Sequence, residues 1–165
     1  MSLRKEEINK KNWKKIVKNI QNSFSGEIIF YLEQKKTSFV VKFSENFDMI
    51  IDDETKEPLF VVRLIDDVYI PSLHILRRFP DLLPKLWTDT GATKFLLNGA
   101  NLFRPGVTKF EFFTKNSLVQ VLNPQGNVLC VGEALYDSKL LPKKGVIMNT
   151  LLYLNDDFWK VSEKI

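Results

Sequence analysis

Residues 98–107 read NGANLFRPGV: two glycines, a proline and two asparagines around a short apolar pair, Leu102 and Phe103. The stretch 92–100 (ATKFLLNGA) is read as a strand that feeds into this loop. Glycine permits positive φ and the close approach of another backbone, so Gly99 and Gly106 bracket a segment with unusual freedom. Pro105 fixes its own φ and biases Arg104 toward an extended conformation. Leu102 and Phe103 are expected to anchor the loop to a core. Asn98, Asn101 and Arg104 would then point outward as hydrogen-bond donors. A glycine-opened backbone with an arginine beside it suits phosphates or base edges. A turn leading into a short helix would need the same glycines.

The other elements follow outward from this loop. Ile8, Trp13, Ile16, Val17, Ile20 and Phe24 fall on one helical stripe, and Gly26 is a plausible stop. Strands are expected at 27–32 (EIIFYL), 37–43 (TSFVVKF), 47–51 (FDMII) and 59–65 (LFVVRLI), with turns at 34–36 and 44–46. A tight turn at 65–67 leads to a short strand. The stretch 72–79 (SLHILRRF) reads as a helix capped by Ser72 and stopped before Pro80. The prolines and glycine of 80–91 mark a boundary, placed between 86 and 87. Beyond the loop, 109–114 (KFEFFT) reads as a strand, and 117–136 as two strands joined by the hairpin turn 123–127 (NPQGN). A basic turn and one or two strands close the chain. The fold class is α+β: a small α/β domain over 1–86, then a mostly β, partly open barrel with short helices over 87–165.

Of 165 residues, 44% are hydrophobic and 27% charged, an ordinary balance for a globular protein. No apolar run approaches a membrane span, and the N-terminus lacks the apolar core of a signal peptide. The single cysteine, Cys130, excludes an internal disulfide and points to a reducing compartment. The net charge of +4 is uneven. Residues 1–20 carry seven Lys/Arg against two Glu, residues 21–84 seven against eleven acids, and residues 85–165 ten against seven. Both ends therefore favour an anionic partner while the middle repels one. Lys10, Lys11, Lys14, Lys15 and Lys18 lie mostly off the apolar stripe of the first helix, as a second electrostatic contact.

Catalytic constellations are sparse. His74, the only histidine, lies in an amphipathic helix, and Cys130 sits between Leu129 and Val131 as a buried apolar residue would. No Cys/His spacing fits zinc, and no phosphate-cradling glycine motif occurs, so neither metal nor cofactor is expected. The adjacent pairs Asp52–Asp53, Asp66–Asp67 and Asp156–Asp157 read as turn residues.

The motifs together resemble a known family. The stretch 94–107 (KFLLNGANLFRPGV) resembles the opening of a PUA domain, the RNA-binding module named for pseudouridine synthases and archaeosine transglycosylases. The stretches 126–136 and 143–160 are similar to that domain's later strands. More narrowly, 68–108 resembles the malignant T-cell-amplified sequence family, translation machinery-associated proteins with a pre-PUA domain before the PUA domain. Leu73, Leu76, Phe79 and Pro80 fit its signature; Ile70, inserted between Tyr69 and Pro71, departs from it, and the N-terminal 60 residues agree in pattern alone.

The resemblance implies a non-catalytic, cytoplasmic factor that binds rRNA or tRNA. It would act on the small ribosomal subunit, in reinitiation and recycling of deacylated tRNA, as a heterodimer with a density-regulated-like protein. RNA-contacting positions carried over are Asn98, Gly99, Ala100, Asn101, Arg104 and Gly106, with Lys143 and Lys144 in the matching basic turn. Arg104 departs from the small or apolar residue common there. Competing readings are an adaptor in ribosome biogenesis, a PUA fold used only for protein contact, and an RNA-modifying enzyme, for which the first 84 residues are too few.

Overall fold

The computed structural model describes residues 3–35 and 38–164. Lys36 and Thr37, within an expected turn and strand, lie outside the described residues. The chain divides into two compact units, residues 1–79 with 160–165 and residues 80–159.

The first unit is a five-stranded antiparallel sheet in chain order: β1 (Arg4–Ile8), β2 (Ser38–Lys42), β3 (Phe47–Asp52), β4 (Pro58–Arg63) and β5 (Val68–Pro71). Helix α1 (Lys10–Gln21) starts two residues later than the apolar stripe, because Ile8 is paired with Ser38 in the sheet. Asn9 is extended, and its side chain accepts from the Asn12 N–H at 2.8 Å, a helix N-cap. Trp13, Val17 and Ile20 form the buried stripe, while Ile16 is half-buried. The stretch 27–32, expected as a strand, is helix α2 (Glu27–Glu33). Ile28, Ile29 and Leu32 face inward while Phe30 is 69% exposed, a helical period hidden within a continuous apolar run. The Trp13 Nε1–H donates to the Leu32 carbonyl at 3.0 Å, satisfying an acceptor at the end of α2. Helix α3 (Leu73–Arg78) forms as expected, with Ser72 accepting from the Ile75 N–H and donating to the Pro58 carbonyl. Lys35 Nζ meets Asp52 Oδ2 at 2.8 Å; the two side chains are 14% and 1% exposed.

The second unit is a six-stranded sheet in the order β7–β11–β10–β9–β6–β8. Its members are β6 (Lys85–Thr88), β7 (Leu102–Phe103), β8 (Val107–Phe110), β9 (Leu118–Leu122), β10 (Val128–Ala134) and β11 (Val146–Tyr153). Strands β6 and β9 are parallel and the other pairs antiparallel. The two edges, β7 and β8, are joined by one 3-10 turn (Arg104–Gly106), so the sheet closes almost into a barrel. Leu86, Leu102, Val119, Val121, Cys130 and Met148 are among its core.

The structure departs from the local expectations in this unit. The stretch before the glycine loop is helix α4 (Thr90–Leu96), not a strand. Asp89 accepts from the Ala92 N–H at 2.8 Å and starts the helix. The strand lies upstream, in the KLWT of β6 that directly follows Pro84. A boundary at 86/87 passes through β6, which pairs with both β8 and β9. The expected strand at 109–114 ends at Phe110, beyond which the buried Phe113 N–H donates to the Ser138 hydroxyl. The 123–127 hairpin forms, with Asn123 N–H donating to the Asn127 carbonyl at 2.9 Å.

Candidate nucleic-acid interface

Helix α4 ends in paired backbone bonds: Gly99 N–H to the Leu96 carbonyl and Ala100 N–H to the Phe95 carbonyl, both 3.0 Å. This is the Schellman pattern, which places Gly99 at the left-handed position; its φ is +84°. A Cβ there would lie 2.8 Å from the Tyr153 ring. That ring's residue is itself held, its N–H donating to Asp156 Oδ2 at 2.8 Å. Burial pushes the Asp156 carboxyl above its ordinary range, against the N–H bonds it accepts. At the other end of the loop, a Cβ on Gly106 would come 2.9 Å from the Ala92 Cβ. The loop is thus closed onto α4 and β11. Thr150 completes the seam: its N–H donates to Asn101 Oδ1 at 2.9 Å, and its hydroxyl to the Ala100 carbonyl at 2.8 Å.

Between α4 and the loop runs an open groove of about 560 Å³, lined by Asp89, Ala92, Phe95, Asn101, Phe103 and Gly106 among others. Two rings stand out of it: Phe95 is 58% and Phe103 54% exposed. The Lys94 ammonium lies 5.1 Å from the Phe95 ring centroid. The pairing of Phe103 with Val146 brings the basic turn alongside, and the Arg104 N–H donates to the Gly145 carbonyl at 2.8 Å. Lys143 and Lys144, next to Gly145, are exposed.

The positions named from sequence therefore separate. Ala100, Asn101 and Gly106 line the groove. Asn98 Nδ2 donates to the Lys94 carbonyl at 3.1 Å, and Gly99 faces Tyr153. Arg104 is half-buried; its guanidinium donates to the Val107 carbonyl at 3.4 Å and lies 5.7 Å from the Phe110 ring centroid. Lys10, Lys11, Lys14, Lys15 and Lys18 are exposed on α1 in the first unit. Phe103, expected as a core anchor, points out, because neighbours on a strand face opposite ways and Leu102 takes the inside. Phe95 and Phe103 are the groove residues that sequence reasoning missed. Their signal was the alternation Leu102/Phe103 and, for Phe95, a helical reading of 90–96.

The two reactive groups lie elsewhere. Burial pushes the Cys130 thiol up to about 12, with a Thr150 hydrogen bond opposing weakly. Burial lowers the His74 imidazole, Glu57 opposes, and Arg77 and Arg78 lower it further. Among the described residues no three His, Cys, Asp or Glu side chains gather as a metal site would need, and no helix is long and apolar enough to cross a membrane.

A nearly closed six-stranded sheet with a short helix and a glycine-ended loop at its edge is the architecture expected of a PUA domain. The PUA domain family matches residues 84–145. The chain is similar to an uncharacterized protein of Methanocaldococcus jannaschii, 32% identical over 159 residues, covering 92% of this chain and 93% of that one. It is also similar to rat malignant T-cell-amplified sequence 1, 32% identical over 108 residues, covering 61% of this chain and 59% of that protein. Translation machinery-associated protein 20 of Saccharomyces cerevisiae is 32% identical over 107 residues, covering 58% of this chain and 59% of its own length. The match thus spans about three fifths of the rat and yeast relatives. The chain belongs to the malignant T-cell-amplified sequence family of PUA-domain proteins.

Proposed function

We propose that this protein is a non-catalytic RNA-binding factor of the translation machinery that takes single-stranded RNA into the groove beside α4. The observation that carries this reading is the pair of half-exposed phenylalanines, Phe95 and Phe103, on walls held by Gly99, Asn101 and Gly106. An aromatic ring in water gains by stacking a base, and such stacking accepts any sequence. Lys94, Lys143 and Lys144 supply cations for the backbone, and Arg104 adds a fourth. The names of the rat and yeast relatives support a place in translation. The finer reading is action on the small ribosomal subunit in reinitiation and recycling of deacylated tRNA. It includes a density-regulated-like protein as partner and a cytoplasmic location. Neither His74 nor Cys130 lines the groove.

Ultraviolet crosslinking of labelled oligouridylate, followed by peptide mapping, tests the site. Crosslinks on Phe95 or Phe103 are expected, together with co-sedimentation with small subunits. Crosslinks confined to other surfaces would overturn the assignment of the groove.

A further inference from the structure

The first unit holds a second groove, of about 830 Å³, between α1 and the end of α2. Its lining includes Ile8, Trp13 and Val17 from the apolar side of α1 and β1, and Lys10, Lys14 and Lys18 from the rim. The three lysines recur every four residues, so they rise by roughly 6 Å per step along the helix. Lys11 and Lys15 are not part of the lining. The α1 lysines therefore form two rows, and only one row borders an apolar trough.

Ser38 also lines this groove. It is 5% exposed, yet its hydroxyl has no hydrogen-bond partner among the described residues. A buried hydroxyl left unpaired is unfavourable, and native proteins pair most such groups with protein, water or a ligand. Position 38 opposes Asp52 across β2 and β3, and Asp52 is already satisfied by Lys35, Thr55 and the Glu54 N–H.

We propose that this groove binds an acidic, amphipathic peptide segment of a protein partner. Charge complementarity selects the partner's acidic residues for the Lys10–Lys14–Lys18 row, and the trough takes its apolar side chains. The Ser38 hydroxyl takes a peptide N–H or carbonyl. Two features favour peptide over RNA here. Trp13 and Val17 are 9% and 6% exposed, so they form the floor of the trough, which apolar side chains can cover but which offers no open ring face for a base to stack on. Glu33 lines the opposite wall and would repel phosphate, whereas a peptide N–H donates to it. This inference does not rest on the RNA groove of the other unit, so either reading can fail alone.

The test is fluorescence polarisation on the full chain. The probe is a labelled helical peptide with leucines at every third or fourth position and glutamates between them. A second peptide carries lysines in place of the glutamates, and oligouridylate is the third probe. The acidic peptide is expected to bind, and the basic one not. Lys14→Glu with Lys18→Glu should weaken binding by at least about tenfold. Ser38→Val should raise the melting temperature while weakening the peptide, and Ser38→Thr should restore binding, a pairing that a purely structural serine would not give. Equal affinity for both peptides would overturn the proposal. So would oligouridylate binding that is lost on the same lysine reversal, which would assign the row to RNA.

Discussion

Replacing Phe103 by alanine separates binding from folding in the PUA unit, and the structure sets both magnitudes. Phe103 is 54% exposed, so rather less than half of its surface is withdrawn from water in the free protein. Full burial of a phenylalanine contributes about 1.5–3 kcal/mol, so the truncation costs about 1 kcal/mol of stability. That lowers the melting temperature of a unit this size by roughly 4–8 °C and leaves it folded at room temperature. A base stacked on the ring contributes about 1–3 kcal/mol, so the dissociation constant for single-stranded RNA should rise between about fivefold and about 150-fold. Phe95→Ala should behave alike, since Phe95 is 58% exposed. If the two rings hold the same base, the double variant loses less than the sum of the single losses. The assay is fluorescence anisotropy with labelled oligouridylate at two salt concentrations. No charge is removed, so the salt slope should stay as it was. Affinity within twofold of the parent for both variants would refute the groove as the RNA site.

Arg104→Ala should cost about 0.5–1 kcal/mol of stability, through the lost contact with Phe110 and the Val107 carbonyl. If the guanidinium also meets a phosphate, the salt slope of RNA binding becomes shallower by about one, read from a salt titration. Gly99→Ala should cost about 2 kcal/mol in thermal melts, from the left-handed backbone and the approach to Tyr153. Burial works against the charge on Asp52, but the bonds from Lys35, Thr55 and the Glu54 N–H outweigh it and hold the carboxyl below its ordinary 3.8. Its stabilisation is therefore present above that value and disappears as pH falls through the lower folded-state value, which melts across an acid series will show. Lys35→Met strands the buried carboxylate and should cost about 3–5 kcal/mol at neutral pH, whereas Lys35→Met with Asp52→Asn costs less than the single change. Cys130→Ser buries a hydroxyl in the barrel core and should lower the melting temperature while leaving RNA affinity unchanged. RNA processing that a purified sample performs and Cys130→Ser abolishes would restore the enzyme reading.

The fold was most legible where apolar periods were clean. The row Trp13, Val17, Ile20 and the capped helix at Ser72 both form, and the 123–127 turn makes its hairpin. Legibility failed where apolar residues ran together. Within 27–32 and 93–97 every strand pattern also contains a helical one, and propensity alone does not choose between them. What decides is capping and burial. Asp89 offers its carboxylate to the Ala92 N–H, and Leu96 then faces the core while Phe95 faces water. Pro80 and Pro84, just before KLWT, concealed β6, because proline is excluded from a strand's interior but not from the residue that precedes it.

The loop's chemistry was legible in kind, while its geometry was not. Glycines at 99 and 106 read naturally as backbone opened to a ligand, but their missing side chains face Tyr153 and Ala92. Each glycine lets the chain approach itself, and the result is a stiff wall. Stiffness matters for the proposed function. A flexible loop would have to be ordered on binding, and that ordering would subtract from the gain of stacking a base. Here Thr150 ties Asn101 and Ala100 to β11, and β11 pairs with the strand that carries Phe103. The backbones that carry Phe95 and Phe103 are therefore set before any RNA arrives. This is why loosening the wall at Gly99 should weaken RNA binding even though Gly99 lies outside the groove lining, and why the loss should exceed that from an equally destabilising change in the first unit.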